Sequence, residues 1–261
     1  MKTVALLTDF GTSDSFAGVM KAVMLGINPR LNCLDITHEV KPQDIFSAAI
    51  LLAGSYAYFP KGTVFLVVVD PGVGTSRLPI AIKTRNYFFV GPDNGVLSLA
   101  AYEDGVKKIV RLENRKYFLK KISQTFHGRD IFAPVAARLS KGIPFDSLGA
   151  KISAIKRLRL PALARGRRAL KGEVIYIDRF GNLVTNIDQE SFRDFIGSRT
   201  FSIRVRNKTI RYVATSYQAV RPGVLLAIFG SFGFLEIAVS EGDASRRLGA
   251  RKGAAVSIVL A

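Results

Sequence analysis

Residues 63–75 read TVFLVVVDPGVGT. From Val64 to Val69 every residue is apolar and most are β-branched, with none of the polar alternation of a sheet that faces water on one side. A run this short is too brief for a helix. A strand apolar on both faces belongs in a parallel sheet covered by helices on both sides. It ends at a carboxylate, Asp70, followed by Pro71-Gly72, a turn signal. In parallel α/β sheets ligands bind at the carboxyl ends of strands, so this stretch marks both a fold and a place to look for a site.

The same grammar extends through residues 1–150. TVALLTD (3–9), LNCLDIT (31–37), YFFVGPDNG (87–95) and KKIVRL (107–112) read as strands. SDSFAGVMKAVMLGINP (13–29), PQDIFSAAILLAGSYAYFP (42–60, opened by Pro42) and residues 130–141, with Asp130 as N-cap, read as helices. Alternation of this kind predicts an α/β domain with a mostly parallel sheet. Residues 172–261 read differently: GEVIYIDRFGNLVTNI (172–187), RTFSIRVRNKTIRYV (199–213), VLLAIFGSFGFLEIAV (224–239) and AAVSIVL (254–260) are short strands broken by Gly, Asn and Asp turns. Only DQESFRDFIGS (188–198) looks helical, with Asp188 at its N-cap, and RNKT (206–209) suits a hairpin turn. This half predicts a smaller all-β, barrel-like domain.

The 261 residues carry a net charge of +18, with 18 basic and 12 acidic residues in 1–150 and 20 and 8 in 151–261. KISAIKRLRLPALARGRRALK (151–171) has eight basic residues and no acidic one, and reads as a basic connector between the domains. It lacks aromatic side chains for stacking bases, which argues against nucleic acid as a specific partner. No apolar run approaches the roughly 20 residues of a membrane span, and the N-terminal VALL is too short for a signal segment. One cysteine, Cys33, excludes an intrachain disulfide framework and points to the cytoplasm.

Asp9, Asp70 and Asp93-Asn94 all follow strands. Each is also an ordinary turn residue, but three such ends suggest one cleft. DPGVGTSR (70–77) lacks the lysine of a P-loop and the spacing of a dinucleotide fingerprint, and Arg77 lies just past it, where it can reach back over Asp70. His127, in TFHGRDIFAP (125–134), is one of two histidines and reads as a core residue or an acid/base; with only His38, His127 and Cys33 as soft ligands, no metal is expected. DRFGNLVTN (178–186) and FGSFGF (229–234) supply polar groups on turns, with Phe180 free to stack on a flat ring.

Taken in order, LTDFGTSD (7–14), VVVDPGVGTSR (67–77), GPDNG (91–95), TFHGRDIFAP, DRFGNLVTNI (178–187) and FGSFGFLEIAV (229–239) resemble the S-adenosylmethionine hydroxide adenosyltransferases, relatives of the fluorinating and chlorinating enzymes. The resemblance implies trimers, with substrate between the N-terminal domain of one subunit and the C-terminal domain of the next, and leaves open whether trimers pair into hexamers. It implies attack of water or hydroxide on ribose C5′ of S-adenosylmethionine, releasing methionine and adenosine with no cofactor. The family's Asp–Arg–His set falls on Asp70, Arg77 and His127. Asp9 matches the carboxylate on the ribose hydroxyls, Asp14, Asp178 and Ser231 match groups around methionine, and Phe180 and Asn182 match adenine contacts.

The departing thioether is neutral, so no general acid is needed. With bulk water near a pKa of about 15.7, the task is to supply an aligned, hydroxide-like nucleophile. Arg77 suits the charge of hydroxide and His127 can accept or share its proton, with Asp70 orienting the pair. Halide-using relatives, as the resemblance implies, carry Tyr at the position of Asp70, replace the histidine and have extra loop sequence, which favours water here. Phe232 stands where the fluorinating enzyme has Arg, so recognition of the methionine carboxylate differs. A halide adenosyltransferase and a non-catalytic S-adenosylmethionine or adenosine sensor are the competing readings.

Overall fold

The structure, a computed structural model, describes residues 3–261. The chain divides into two compact units, one ending at Leu158 and one spanning Arg159–Ala261.

In the first unit the elements run β1 (Thr3–Thr8), α1 (Phe16–Ile27), β2 (Asn32–Thr37), α2 (Ile45–Ser55), β3 (Val64–Val68), β4 (Pro79–Thr84), β5 (Phe88–Pro92), α3 (Ser98–Glu103), β6 (Val106–Arg111) and α4 (Ala133–Ser140). They form a six-stranded sheet in the order β2-β1-β3-β5-β4-β6. Strands β1, β2, β3 and β5 are mutually parallel, whereas β4 runs antiparallel to both β5 and β6. The apolar runs are explained by burial on both faces. Val64, Leu66 and Val68 pack with Met20 and Met24 of α1 and Val135 of α4, while Phe65 and Val67 pack with Ala48 and Leu52 of α2 and Ala100 of α3. Emptying such a position, as in Phe65→Ala, costs about 3–5 kcal/mol.

Three local expectations are corrected here. Strand β4 has no counterpart in the sequence reading; Pro79 opens it, and a strand tolerates proline at its first residue. Helix α2 starts at Ile45 rather than Pro42: Asp44 caps it, accepting from Ser47 N at 3.0 Å, and Gln43 at φ +66° takes the chain off the helical path. Asp130 is not an N-cap. It lies inside a π-turn (Gly128–Phe132) that runs into α4, fully buried, accepting from Ser123 N at 2.7 Å and paired with Arg129 at 2.6 Å.

The second unit contains β7 (Ala164–Arg165), β8 (Ala169–Ile177), β9 (Leu183–Asp188), α5 (Gln189–Ile196), β10 (Phe201–Val205), β11 (Lys208–Ile210), β12 (Leu225–Phe229), β13 (Phe234–Val239), α6 (Ala244–Leu248) and β14 (Ala255–Leu260). Its strands pair antiparallel in the order β11-β10-β14-β8-β9-β13-β12, with β7 on β8. Strand β8 pairs β14 through its first half and β9 through its second, which curls the sheet into a barrel-like form. Helix α5 buries Phe192, whose ring meets Phe201 and Phe229 edge-on at 5.2 and 5.3 Å. As expected, Asp188 caps α5, accepting from Ser191 N at 2.7 Å, and β10 and β11 form a hairpin.

The basic stretch has no helix or strand before Ala164 but makes specific contacts. Lys156 N donates to Asp93 at 2.8 Å and Arg157 stacks 3.7 Å over the Tyr102 ring, while from Ala164 the chain enters β7 and then β8.

Candidate active site

Strands β1 and β3 are neighbours and parallel, so their carboxyl ends bring Asp9 and Asp70 to one edge of the sheet. A cleft of about 410 Å³ opens there, within the size range of small-molecule sites. Asp9, Gln43, Asp70, Phe126 and His127 are among the residues that line it.

Arg77 reaches back over the 70–76 turn. Its Nε donates to both oxygens of Asp70 at 2.9 and 3.0 Å, and its Nη2 to Oδ2 at 2.5 Å. The same Nη2 lies 2.8 Å from Nδ1 of His127. Both members of the Asp70–Arg77 pair are only 5% exposed, and Arg77 stacks 5.2 Å over the Phe132 ring. A guanidinium has donors only, so Nδ1 of His127 is the acceptor, and in the neutral ring the hydrogen sits on Nε2. Burial, and then the charge of Arg77, lower the pKa of His127 from its ordinary value, with Asp70 and Asp130 opposing in part.

Asp9 is held by its neighbour in space. Its Oδ2 accepts from the backbone N–H of Gln43 at 2.8 Å, and Gln43 itself has φ +66°. The apolar wall is a cluster of three rings: Phe10, Phe16 and Phe126 lie 5.3–5.8 Å apart, tilted or edge-on. The third strand end does not line the cleft: Asp93 is buried and accepts from Lys156 N at 2.8 Å, and Asn94 acts on the backbone beneath the site. Asn94 Nδ2 donates to Val69 O at 2.8 Å, fixing the residue before Asp70.

The remaining sequence-derived residues lie elsewhere. Asp14 is exposed on the loop before α1 and does not line the cleft. Asp178, Phe180, Asn182 and Ser231 belong to the second unit. There Asp178 accepts from the backbone N–H groups of Phe180 and Asn182 at 2.9 and 2.8 Å and from Asn182 Nδ2 at 2.9 Å. That tight turn leaves Phe180 77% exposed. Ser231 is exposed in the turn between β12 and β13.

Sequence reasoning missed Gln43 and the three-phenylalanine wall. Phe10 and Phe126 flank Asp9 and His127 in sequence, and that adjacency was the available signal. Nothing local marks Gln43 for a left-handed backbone. Among the described residues no group of three or more His, Cys, Asp and Glu is placed to hold a metal ion.

Comparison with known proteins bears on this geometry. Residues 4–149 match the SAM hydroxide adenosyltransferase N-terminal domain, and residues 172–257 match the C-terminal domain of the same family. An (R)-S-adenosyl-L-methionine hydrolase of Thermus thermophilus is 37% identical over 99% of this chain and 100% of its own length. One from Salinispora tropica is 37% identical over 96% and 95%. A fluorinase of an Actinoplanes species is 27% identical over 70% of this chain and 71% of its own. Among solved structures, an uncharacterized conserved protein from Thermotoga maritima superposes with a TM-score of 0.92 at 43% identity, covering 98% of this chain and 99% of that one.

Proposed function

This chain belongs to the SAM hydroxide adenosyltransferase family, and we propose on that premise that it hydrolyses S-adenosyl-L-methionine to adenosine and L-methionine. The observation that carries the mechanism is the Asp70–Arg77–His127 chain of hydrogen bonds at the edge of the cleft.

The reaction joins a hydroxide oxygen to ribose C5′ as the C5′–S bond breaks and its electron pair leaves with sulfur. Sulfonium and hydroxide charges cancel, and nothing needs protonation. When water is the source, one proton is released to solvent. The site's task is to favour hydroxide beside the cation. Arg77 supplies fixed positive charge, with Asp70 holding the fork in place. With Nδ1 of His127 engaged by Arg77, the ring offers Nε2–H, a donor suited to a hydroxide oxygen. This assigns His127 to hold hydroxide rather than to abstract the proton.

Asp9 holds the ribose hydroxyls, and Asp14, Asp178, Phe180, Asn182 and Ser231 contribute the methionine and adenine contacts. The exposed Phe180 ring supports this, since a large apolar surface left in water gains most by covering a flat base. The assembly proposed is a homotrimer with intersubunit sites, in the cytoplasm, where a single-cysteine chain fits. No helix among the described residues is long and apolar enough to cross a membrane. The full-length relatives are named for the (R) form, so that form is the proposed substrate.

The test is incubation with each sulfonium epimer in oxygen-18 water, with and without chloride and fluoride, followed by mass spectrometry. Adenosine with one heavy oxygen at C5′, independent of halide, is expected. A 5′-halogenated nucleoside as product, or no turnover of either epimer, would overturn the reading.

A further inference from the structure

His38 is buried, with 5% of its side chain exposed, and it does not line the cleft. Its Nδ1 lies 2.8 Å from the hydroxyl of Thr8, a fully buried residue at the end of β1. That hydroxyl also accepts from Phe10 N at 3.3 Å, two residues on. The backbone carbonyl of His38 accepts from Gly11 N at 2.8 Å. One residue therefore grips the chain on both sides of Asp9 and Phe10, through its ring before them and its carbonyl after them. The segment that follows completes the grip: Val40 N donates to Thr8 O at 3.4 Å, and Gln43 N to the Asp9 carboxylate at 2.8 Å.

The outer side of the ring is set by charge. Nε2 lies 3.1 Å from Asp35 Oδ1 without an aligned hydrogen-bond acceptor, and Asp35 is paired with Lys21 at 2.6 Å. A buried imidazole whose nitrogens are not fully satisfied is a costly way to fill space. An apolar side chain would pack there with less penalty but would leave the Thr8 hydroxyl without its partner.

We propose that His38 is a positioning residue for the substrate's ribose, acting through Thr8 and Gly11 to fix the Asp9–Phe10 segment. This rests on the reading of the cleft as the S-adenosylmethionine site with Asp9 on the ribose hydroxyls. A mere packing role predicts a loss of stability and a uniform loss of binding. A positioning role predicts a loss confined to ligands that carry the hydroxyls.

The experiment compares wild type, His38→Ala, His38→Asn and Thr8→Val. It measures kcat and KM for S-adenosylmethionine, and calorimetric affinities for adenosine and for 2′,3′-dideoxyadenosine, which lacks the 2′ and 3′ hydroxyls. His38→Ala is expected to raise KM and weaken adenosine about tenfold, the scale of one lost hydrogen bond, with kcat and dideoxyadenosine affinity nearly unchanged. His38→Asn, whose carboxamide reaches the Nδ1 position, should restore most of the loss. Thr8→Val, which removes the hydroxyl at constant shape, should reproduce it and serves if His38→Ala does not fold. Equal losses for both nucleosides, unchanged adenosine affinity, or His38→Asn no better than His38→Ala would overturn the inference. A wild type that neither turns over S-adenosylmethionine nor binds adenosine would overturn the site reading itself, a result separable from the others because it appears before any substitution.

Discussion

Arg77 and His127, 50 positions apart, meet through a single hydrogen bond of 2.8 Å from Nη2 to Nδ1. The contact fixes the protonation of the ring, since a proton on Nδ1 would face a donor and a positive charge. It also means that the hydrogen-bonded link from Asp70 to His127 runs through the guanidinium between them.

Arg77→Lys should therefore disable the site while keeping its charge. An ammonium cannot span Asp70 and His127 as a planar fork does. The expected result is a fall in kcat of about 10²–10³-fold, the scale of a lost oxyanion donor, with KM little changed. Adenosine release measured by chromatography checks it. A kcat within a few-fold of wild type would remove the fork from the mechanism.

The depressed pKa of His127 sets the acid limb of the pH profile. Neutral His127 accepts from Arg77, so activity should persist below the ordinary histidine value of about 6.5 and fall only as pH drops through the lower folded value. Stability follows the same sign. Between those values the unfolded chain binds more protons, so the contribution is fully present above about pH 6.5 and lost as pH falls through the folded value. His127→Gln should flatten that part of the stability curve, as denaturant melts between pH 4 and 8 would reveal at a spacing of about half a unit.

The two glycines of the 70–76 turn should separate function from folding. A Cβ on Gly72 would lie 3.2 Å from Cγ of Arg77, so Gly72→Ala presses on the side chain that bridges the site. It should cost about 1 kcal/mol of stability but lower kcat about tenfold. Gly74 has φ +76°, and a Cβ there would collide with the carbonyl of Gln124. Gly74→Ala should lower stability by about 2 kcal/mol or more. Urea unfolding beside kcat measurements distinguishes the two.

Phe180→Ala tests the adenine contact. With 77% of the residue in solvent, the substitution should change stability by no more than about 0.5 kcal/mol. Adenosine affinity should nevertheless fall about tenfold, as expected for loss of a stacking ring. Calorimetry showing unchanged affinity would leave Phe180 as a surface residue.

Much of this is legible in the sequence. The unbroken apolar run 64–69 could belong only to a strand buried on both faces, and it packs on both. The cap at Asp188 was readable because capping is a local bond, to Ser191 three residues away. Asp130 misled for the same reason: its type and position suit a cap, but it is buried in a π-turn and its oxygens are taken by Ser123 and Arg129. Strand β4 escaped notice because its six residues carry a proline and a lysine and contribute only an antiparallel filler between β5 and β6.

The sequence by itself determined which faces are buried, where the strands end in carboxylates, and which family the motifs resemble, because hydrophobic period and turn chemistry are local properties of the chain. Only the tertiary structure decided that β1 and β3 are neighbours, that Arg77 turns back to Asp70 and across to His127, and that Gln43 adopts a left-handed backbone to hold Asp9. Apart from Arg77 and Asp70, seven residues apart, those are relations between segments distant in sequence. They are set by the packing of the helices on both faces of the sheet, and no local pattern encodes them.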